Sequence, residues 1–306
     1  MLTPKGLQQR SRLLQAMRAF FYERAYVEVD TPIRLPVLIP ESNIFPFSSE
    51  GCFLQTSPEL CMKRLLARGC ERIFQICHCF RKEEQGRLHQ SEFTLLEWYH
   101  KNWSYDELMV ECEALICSLA HKLASLQGFV NDGPVLVRRG QRVDLTPPWT
   151  RLSVAEAFQQ YAGMAVEDAL AQDTFEEVLV TLVEPHLGET KPTFLYDYPT
   201  SLGSLARRKP GNPKVAERFE LYIAGVEIAN GFSELADADE QRQRFHHEID
   251  VICSSGGKAS MPEHFLADLP AMGECAGIAL GVDRLFMLLV GGTTLSDSLP
   301  FIFDTL

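Results

Sequence analysis

Charged and aromatic side chains recur at strand spacing in the segment Phe80–Tyr99, FRKEEQGRLHQSEFTLLEWY. Arg81 and Glu83 are two residues apart, so they would lie on one face of a β-strand, because successive side chains alternate between faces. Phe93 and Glu97 share one face of the returning strand by the same rule. A guanidinium group, an aromatic ring and carboxylates on one surface suit a phosphate, a purine and an ammonium group. The segment therefore predicts a nucleotide-binding β-hairpin.

Two carboxylates fall close together in a second predicted hairpin, RFELYIAGVEIANGFSEL. A turn at Ala224–Gly225 would pair Tyr222 with Glu227 in antiparallel strands. The same register would pair Glu220 with Ala229. Glu220 and Glu227 would then be diagonal neighbours on one face, where two carboxylates favour a divalent cation. The same two charges would also suit a solvated hairpin.

Three more side chains that could contact a ligand follow in the second strand of this hairpin. Asn230, Phe232 and Glu234 share a face by the period of two, but their parity is opposite to that of Glu227. Both sets reach one pocket only if a β-bulge lies near residues 229–231, where a glycine permits it. We therefore predict a bulge at this place.

Small side chains mark a third segment, GIALGVDR. Gly277 and Ala279 would let a flat ligand lie against a strand, and Arg284 follows at the start of a helix. Glu59 stands in the first turn of another predicted helix. Each feature also has a plain structural explanation, since glycines permit tight packing and an acidic first turn suits the helix dipole. His89 alone would be an ordinary loop histidine.

The composition is that of an ordinary globular protein, with 46% hydrophobic and 23% charged residues. The N-terminal residues lack the pattern of a secretory signal, and no apolar run approaches the ~18 residues of a membrane span. We therefore expect a cytoplasmic protein without a membrane segment. The formal net charge of −12 argues mildly against a nucleic-acid-binding module.

The cysteines are scattered and odd in number, nine in all, which indicates reduced thiols rather than a disulfide framework. Cys77 and Cys79 flank His78 in a pattern that is only weakly typical of a zinc site, because no second pair of ligands follows it.

Helical and strand patterns together predict an α+β fold. Residues 7–24 have helical spacing, and the TSPE segment has a helix start with Ser57 as its N-cap. A strong amphipathic helix follows the first hairpin, whereas residues 127–150 are expected to be irregular. This order favours a mostly antiparallel sheet flanked by helices over a doubly wound parallel sheet. We predict a single domain, residues 1–306, with a helical or irregular insertion at about 104–190.

Several segments together resemble the signature motifs of a known enzyme family. VDTP at Val29–Pro32, FRKE with EFTLLEWY, and GIALGVDR are similar to motifs 1, 2 and 3 of class II aminoacyl-tRNA synthetases. TSPEL, MKRLL and EIANGFSEL narrow the resemblance to the lysyl branch. The resemblance runs from about residue 7 to the end of the chain, and it implies the class II catalytic fold.

The resemblance also implies roles for individual residues. The catalytic cations would be Arg81, on the α-phosphate of ATP and the substrate carboxylate, and Arg284. Adenine would lie between Phe93 and Arg284. The remaining members would be Glu83 and His89 for the nucleotide, Glu220 and Glu227 for Mg²⁺, and Glu59, Glu97, Tyr99, Asn230, Phe232, Glu234 and Ala279 for the amino-acid pocket.

Within the lysyl branch, the chain resembles, in the segments EEQGRLHQSEFTLLEWY, KPTFLYDYP and GIALGVDRL, the stand-alone paralogues that attach (R)-β-lysine or lysine to elongation factor P. Motif 1 begins soon after Met1, so we expect the anticodon-binding OB-fold to be missing and tRNA not to be the partner. Ala279 stands where the tRNA enzymes usually have glycine, and its methyl group could favour β-lysine over α-lysine by ~1–3 kcal/mol. The family also implies a homodimer formed through the region of residues 7–32.

Two alternatives remain open at this point. One is a free-standing lysyl synthetase core that charges tRNA or makes a small-molecule amide. The other is a non-catalytic regulator, which the retention of every phosphate and metal residue disfavours. Lys82 replaces the usual asparagine of motif 2, but its parity is opposite to that of Arg81, so it should point away from the nucleotide.

Overall fold

The computed structural model describes residues 2–123 and 134–301. Its helices are α1 (Pro4–Tyr22), α2 (Glu59–Ala67), α3 (Tyr105–Lys122), α4 (Val154–Ala157), α5 (Val166–Ala171), α6 (Phe175–Val178), α7 (Ala238–Ser254), α8 (Glu263–Met272) and α9 (Val282–Leu289). Its strands are β1 (Val27–Glu28), β2 (Arg34–Leu35), β3 (Ser48–Ser49), β4 (Cys52–Leu54), β5 (Arg72–Phe80), β6 (Glu92–Lys101), β7 (Val135–Arg138), β8 (Gln141–Asp144), β9 (Thr150–Ser153), β10 (Thr193–Pro199), β11 (Arg208–Lys209), β12 (Asn212–Ile223), β13 (Val226–Ser233) and β14 (Cys275–Gly281). The π-helical turns Phe158–Ala162 and Leu179–Val183 extend α4 and α6, and 3₁₀ turns lie at Glu184–His186, Thr200–Leu202 and Leu295–Asp297.

A large sheet with the strand order β1-β5-β6-β14-β13-β12-β10-β9 forms the centre of the fold, and β11 adds to β12. The pairs β1–β5 and β10–β9 are parallel, whereas the other pairs in this sheet are antiparallel. A small second sheet has the order β2-β4-β3. The predicted α+β class, with a mostly antiparallel sheet flanked by helices, is confirmed.

The two faces of the sheet differ in what covers them. On one face, Phe74, Trp98 and Ile278 pack into a buried cluster with residues of α1, α3 and α9. On the opposite face, Tyr99 and Ile73 pack against α2 and α8 near one end of the sheet. Because side chains alternate along a strand, the residues of β6 that belong to the second face are those with the parity of Tyr99. The part of this second face that α2 and α8 do not cover is open to a ligand.

The predicted helices form, with small shifts at their ends. The amphipathic helix α3 begins with a capping box in which Ser104 and Glu107 satisfy each other's backbone N–H groups. The helix of the TSPE segment begins at Glu59 with Pro58 as N-cap, so the expectation for Ser57 is wrong by one position. No helix among the described residues is both long and apolar enough to cross a bilayer.

The region 127–150 contains regular structure that the sequence was not expected to form. The strands β7 and β8 make an antiparallel hairpin in which Arg138 pairs with Gln141. Arg139 and Gly140 both have positive φ, at 50° and 82°, which is the backbone that a two-residue hairpin turn requires. The expectation of an irregular segment is therefore wrong for residues 135–144, and residues 127–133 lie outside the described part of the chain.

Candidate active site

A cavity of about 1040 Å³ opens on the second face of the large sheet. Strands β6, β13 and β14 supply its floor, and the loop after β2, the loop after β5 and helix α7 supply its walls. The predicted site residues that line it are Glu59, Arg81, His89, Phe93, Glu97, Glu227, Asn230, Phe232, Ala279 and Arg284. Four predicted residues do not line it directly, namely Glu83, Tyr99, Glu220 and Glu234.

Three side chains of the floor and one beside it form a row across neighbouring strands. Glu97 lies opposite Ala279, and Ala279 lies opposite Asn230. Asn230 in turn lies opposite Glu220. Residues directly opposite each other in antiparallel strands share a face, so this row brings together residues from three distant parts of the sequence.

The row exists because of a bulge in the second hairpin. Ala224 and Gly225 have φ of 53° and 67° and form its turn, and Tyr222 pairs with Glu227 as predicted. One step later Leu221 pairs with Ala229, which leaves Ile228 without a partner in the ladder. The predicted pair of Glu220 with Ala229 is therefore wrong, because the bulge shifts Glu220 to Asn230. The bulge is therefore real but lies at residue 228 instead of 229–231.

A second row, next to the first, depends on a glycine. Tyr99 lies opposite Gly277, which lies opposite Phe232. A Cβ atom on Gly277 would lie 2.2 Å from Cε1 of Tyr99 and 2.5 Å from Oε1 of Glu234. The absence of a side chain at this position is what lets the Tyr99 ring and the Glu234 carboxylate lie against the sheet.

We expect the substitution Gly277→Ala to destabilise the protein by about 1–3 kcal/mol, because the ring of Tyr99 must move. Gly281→Ala is the matched control in the same strand, since its Cβ would lie 3.6 Å or more from its nearest neighbours. Urea unfolding of both variants provides the measurement. Equal stability of the two variants would contradict the assigned role of Gly277.

A buried ion-pair network lies beside these rows. Nζ of Lys63 is 2.5 Å from Oε1 of Glu59 and 2.6 Å from Oε2 of Glu234, and the Lys63 side chain is 1% exposed. Burial acts to lower the pKa of Lys63, but the two carboxylates outweigh it and raise that pKa. Burial raises the pKa of Glu234 to about 7, against the opposing effect of Lys63. Glu59 and Glu234, two of the carboxylates predicted for the amino-acid pocket, are therefore already paired with Lys63.

Lys63 is a site residue that the sequence reasoning missed. Glu59 and Lys63 are four residues apart in α2, so they lie on one helix face. That spacing was available as a signal, but it is also the spacing of many solvated surface pairs.

Glu97 is the third carboxylate predicted for the amino-acid pocket, and it forms no ion pair with a lysine or arginine in the described part of the chain. It accepts a hydrogen bond from the Tyr99 hydroxyl at 3.0 Å, and it is 2% exposed. Burial, together with the negative charge of Glu59, raises its pKa well above the ordinary value. Oδ1 of Asn230 is also buried and has no hydrogen-bond partner among the described residues. A carboxylate and an amide oxygen in this state suit a substrate ammonium group.

Arg81, the cation of motif 2, lies in the loop after β5 and not on the strand. The ladder of β5 and β6 ends where Phe80 pairs with Glu92, so Arg81 is in the loop. Its guanidinium lies 5.1 Å from the centre of the Phe93 ring, and Nη1 is 3.5 Å from Oε1 of Glu84. A cation beside an aromatic plate suits a phosphate next to a stacked base.

The expectation that Arg81 and Glu83 share a strand face is wrong. Glu83 has a positive φ of 69° and lies in a turn. It is exposed and contacts Lys82, with 3.6 Å between Oε1 and Nζ. Glu84 lines the cavity in its place. A polar loop ends the strand ladder, and the period of two does not apply beyond that point.

Arg284 is held in a fixed position by three residues. Nε donates to the Leu88 carbonyl at 3.1 Å, Nη1 donates to Oε2 of Glu227 at 3.0 Å, and Nη2 donates to Nε2 of His89 at 2.7 Å. Burial and the charge of Arg284 lower the pKa of His89, which keeps the imidazole neutral and able to accept this bond. The preceding Asp283 accepts from the Thr94 N–H at 2.7 Å and pairs with Arg10 of α1 at 2.6 Å.

The Glu220 and Glu227 pair offers a partial site for a divalent cation. Glu220 accepts from Tyr198 and Tyr222, each at 2.7 Å, and from Arg218 at 2.5 Å. Arg284 already contacts one oxygen of Glu227. The described residues do not gather three acidic, histidine or cysteine ligands anywhere. Two carboxylates fit Mg²⁺ only when the substrate phosphates supply most of the coordination, which is common for this ion.

Cys77 and Cys79 are free thiols with their sulfur atoms 3.9 Å apart. His78 points to the other face of β5, where Nδ1 is 3.1 Å from Oε1 of Glu92. The three residues therefore do not form a zinc site by themselves.

Comparison with known proteins gives a consistent result over the whole chain. Residues 3–304 match the family model described as tRNA synthetases class II (D, K and N). The chain is 39% identical over 318 aligned residues to proteins named elongation factor P–(R)-β-lysine ligase from Salmonella arizonae, Salmonella paratyphi B and Salmonella heidelberg. Each alignment covers 98% of this chain and 95% of the relative. Since the family model spans residues 3–304 and the large sheet carries the segments EFTLLEWY and GIALG of motifs 2 and 3, the chain belongs to the class II tRNA synthetase family of the D, K and N type.

Proposed function

We propose that this protein is an AMP-forming ligase that activates (R)-β-lysine, or lysine, with ATP and transfers it to a lysine side chain of elongation factor P. The observation that carries the proposal is the contrast within one cavity. Glu97 has no ion pair with a lysine or arginine in the described part of the chain. Phe93 lies four residues earlier on the same strand, toward the loop of the hairpin, and the Arg81 guanidinium lies beside its ring. Phe93 and Glu97 on one strand are about 13 Å apart at ~3.3 Å per residue, which is the scale of a lysine joined to a nucleotide.

In the first step, the substrate carboxylate would attack the α-phosphorus of ATP, and pyrophosphate would leave. Arg81 would stabilise the charge that develops on the α-phosphate, and Phe93 would stack on adenine. Arg284, fixed by His89 and Glu227, would face the nucleotide from the opposite side. Mg²⁺ held by Glu220, Glu227 and the phosphates would neutralise phosphate charge. Arg81 and Arg284 are the catalytic residues of this proposal.

The other pocket residues would bind the amino acid. The ammonium group would lie between Glu97 and Oδ1 of Asn230, where a buried carboxyl group and an unpaired acceptor meet. Glu59 and Glu234, both paired with Lys63, would shape the polar wall of the pocket. Tyr99, Phe232 and Ala279 would form its remaining surface, while Glu83 would contact the nucleotide only if its loop moves.

In the second step, the ε-amine of the acceptor lysine would attack the carbonyl carbon of the adenylate. The bond between this carbon and the phosphate oxygen would break, AMP would leave with the bonding electrons, and the nitrogen would lose one proton to give the amide. The relatives named as ligases of elongation factor P support this acceptor.

ATP–pyrophosphate exchange with α-lysine, (R)-β-lysine and other amino acids tests the proposal, together with the mass of elongation factor P after incubation. We expect exchange with a lysine and a mass increase of one β-lysyl or lysyl group. An acid-precipitable tRNA assay covers the synthetase alternative. Exchange with labelled tRNA and unmodified elongation factor P would favour that alternative, whereas no exchange with any lysine would favour a non-catalytic regulator.

Ala279→Gly should relax the preference for (R)-β-lysine over α-lysine by about 10-fold, because the methyl group lies in the floor between Glu97 and Asn230. A methyl-sized change in a pocket is worth ~1–3 kcal/mol. The measurement is the ratio of kcat/KM values in exchange for the two amino acids. An unchanged ratio would remove Ala279 from the specificity argument.

Three further features belong to the proposal. The chain would act in the cytoplasm as one catalytic domain, residues 1–306. It would form a homodimer through the region of residues 7–32, which includes most of α1. Sedimentation at micromolar concentration tests the assembly, and a stable monomer with full activity would contradict it.

A further inference from the structure

The loop that follows β2 brings a carboxylate to the cavity that no motif identifies. Glu41 lines the cavity together with Glu59 and Arg81. The loop is tied on both sides, since the Ser42 N–H donates to Oε2 of Glu248 in α7 at 2.7 Å. The Lys82 N–H, next to Arg81, donates to the Phe45 carbonyl at 2.6 Å. Glu41 is therefore held beside the cation that would bind the reacting carboxyl group.

Most other carboxylates of the cavity have partners. Those with a hydrogen bond or ion pair are Glu59 with Lys63, Glu84 with Arg81, Glu97 with Tyr99, Glu227 with Arg284, Glu248 with Ser42, and Asp283 with Arg10 and Thr94. Among the cavity residues in the described ranges, the side chains of Glu41 and Glu176 have neither. Glu176 is exposed, and the charged groups that act on its pKa are Arg218 and Glu220, not Arg81. Glu41 is thus the free carboxylate on the side of Arg81.

The charges around Glu41 come from three parts of the structure. Glu59 and Lys63 face it from α2, Arg81 from the loop after β5, and Glu248 from α7. Burial is the largest effect, and it raises the pKa of Glu41 to about 7, with the negative charges of Glu59 and Glu248 adding to it and Arg81 and Lys63 opposing it. A carboxylate of this kind can take up and release a proton near neutral pH.

We propose that Glu41 is the proton acceptor for the ammonium group of the acceptor lysine in the transfer step. The acceptor ε-ammonium gives one proton to the Glu41 carboxylate and becomes a neutral amine. The amine nitrogen then forms its bond to the adenylate carbonyl carbon, and the bond from this carbon to the phosphate oxygen breaks. AMP leaves with that electron pair, and the nitrogen gives its second proton to solvent. Glu41 releases the proton to solvent. This inference rests on the proposed function, since it needs an amine acceptor.

The isosteric variant Glu41→Gln separates the two steps of the reaction. We expect it to keep ATP–pyrophosphate exchange within about 3-fold of the parent, while transfer to elongation factor P falls about 100-fold, the usual effect of losing a general base. In the parent, the transfer rate should rise with pH and level off above about pH 7. In the variant it should keep rising toward the ordinary lysine pKa of about 10.4.

Hydroxylamine as the acceptor separates a role in proton transfer from a structural role of Glu41. If Glu41 only supported the structure of the site, the variant would also form the hydroxamate more slowly. This nucleophile is neutral at pH 7 and needs no proton acceptor, so both proteins should convert the adenylate to the hydroxamate at the same rate. His247, which also lines the cavity and is exposed, supplies the control. His247→Gln should leave transfer unchanged.

Each other result counts against the proposal. A parallel loss of exchange and transfer in Glu41→Gln would assign Glu41 to amino-acid binding, and unchanged transfer would overturn the inference while the proposed function stands. A loss of transfer in His247→Gln alone would identify the histidine as the base. If the parent exchanges but never labels elongation factor P, the proposed acceptor is wrong, and the inference fails with it.

Discussion

Replacing Arg81 with alanine should lower ATP–pyrophosphate exchange about 10³-fold with little effect on stability. One preorganised donor at the site of developing charge is typically worth ~10²–10³ in rate, and a guanidinium supplies several donors. Its contacts within the protein are weak, a 3.5 Å approach to Glu84 and a 3.4 Å bond to the Thr56 carbonyl. Little of the fold therefore depends on Arg81.

Lys82→Ala is the matched control, because the neighbouring cation is exposed and contacts only the similarly exposed Glu83 among charged groups in the described chain. It should exchange at the parental rate. Exchange above one-tenth of the parental rate in Arg81→Ala, or an equal loss in Lys82→Ala, would disprove the role assigned to Arg81.

Lys63→Met should lower the free energy of unfolding by about 3–5 kcal/mol at pH 8, because it leaves two buried carboxylates without their cation. Arg64→Met is the control in the same helix. Arg64 pairs with Asp268 at 2.6 Å, but the two side chains are 30% and 33% exposed, so its loss should cost only about 0–1 kcal/mol. Urea unfolding measures both values.

The loss in Lys63→Met should shrink as the pH falls. A carboxyl group whose folded pKa is raised stabilises the fold at low pH, and this contribution is lost as the pH rises through that value. The pKa of Glu234 is already raised to about 7 with Lys63 present, and it should rise further without it. A deficit that stays constant between pH 8 and pH 5 would contradict the charge explanation.

The positions of the site residues on strands could be predicted from the sequence. The alternation of side chains between the two faces and the residues of the turn determine which of them share a face. The turn at Ala224–Gly225 set the pairing of Tyr222 with Glu227, and the conflict of parity with Asn230 required the bulge that is found at Ile228. Family resemblance supplied the roles of these residues, which spacing alone left open.

Loop-borne and buried charged parts did not follow from the sequence. Glu83 turned away because its strand ended earlier than the pattern suggested. Glu41 lies in a proline-rich loop without any periodicity, so only tertiary contacts place it at the cavity. Lys63 is recognisable as part of the site only once its burial is known, since an i,i+4 charge pair is usually at the surface.

The position of β14 has a consequence for the order in which the molecule is completed during synthesis. It is the last strand of the described chain, yet it lies between β6 and β13 at the centre of the sheet. Until the ribosome has released Cys275–Gly281, the sheet consists of two halves with the inner edges of β6 and β13 open. Open edges of this kind invite pairing with other chains, and contacts of high sequence separation form slowly. The amino-acid pocket takes residues from both halves, so it can form only when β14 joins them. A nascent chain without β14 therefore has neither the pocket nor protected strand edges.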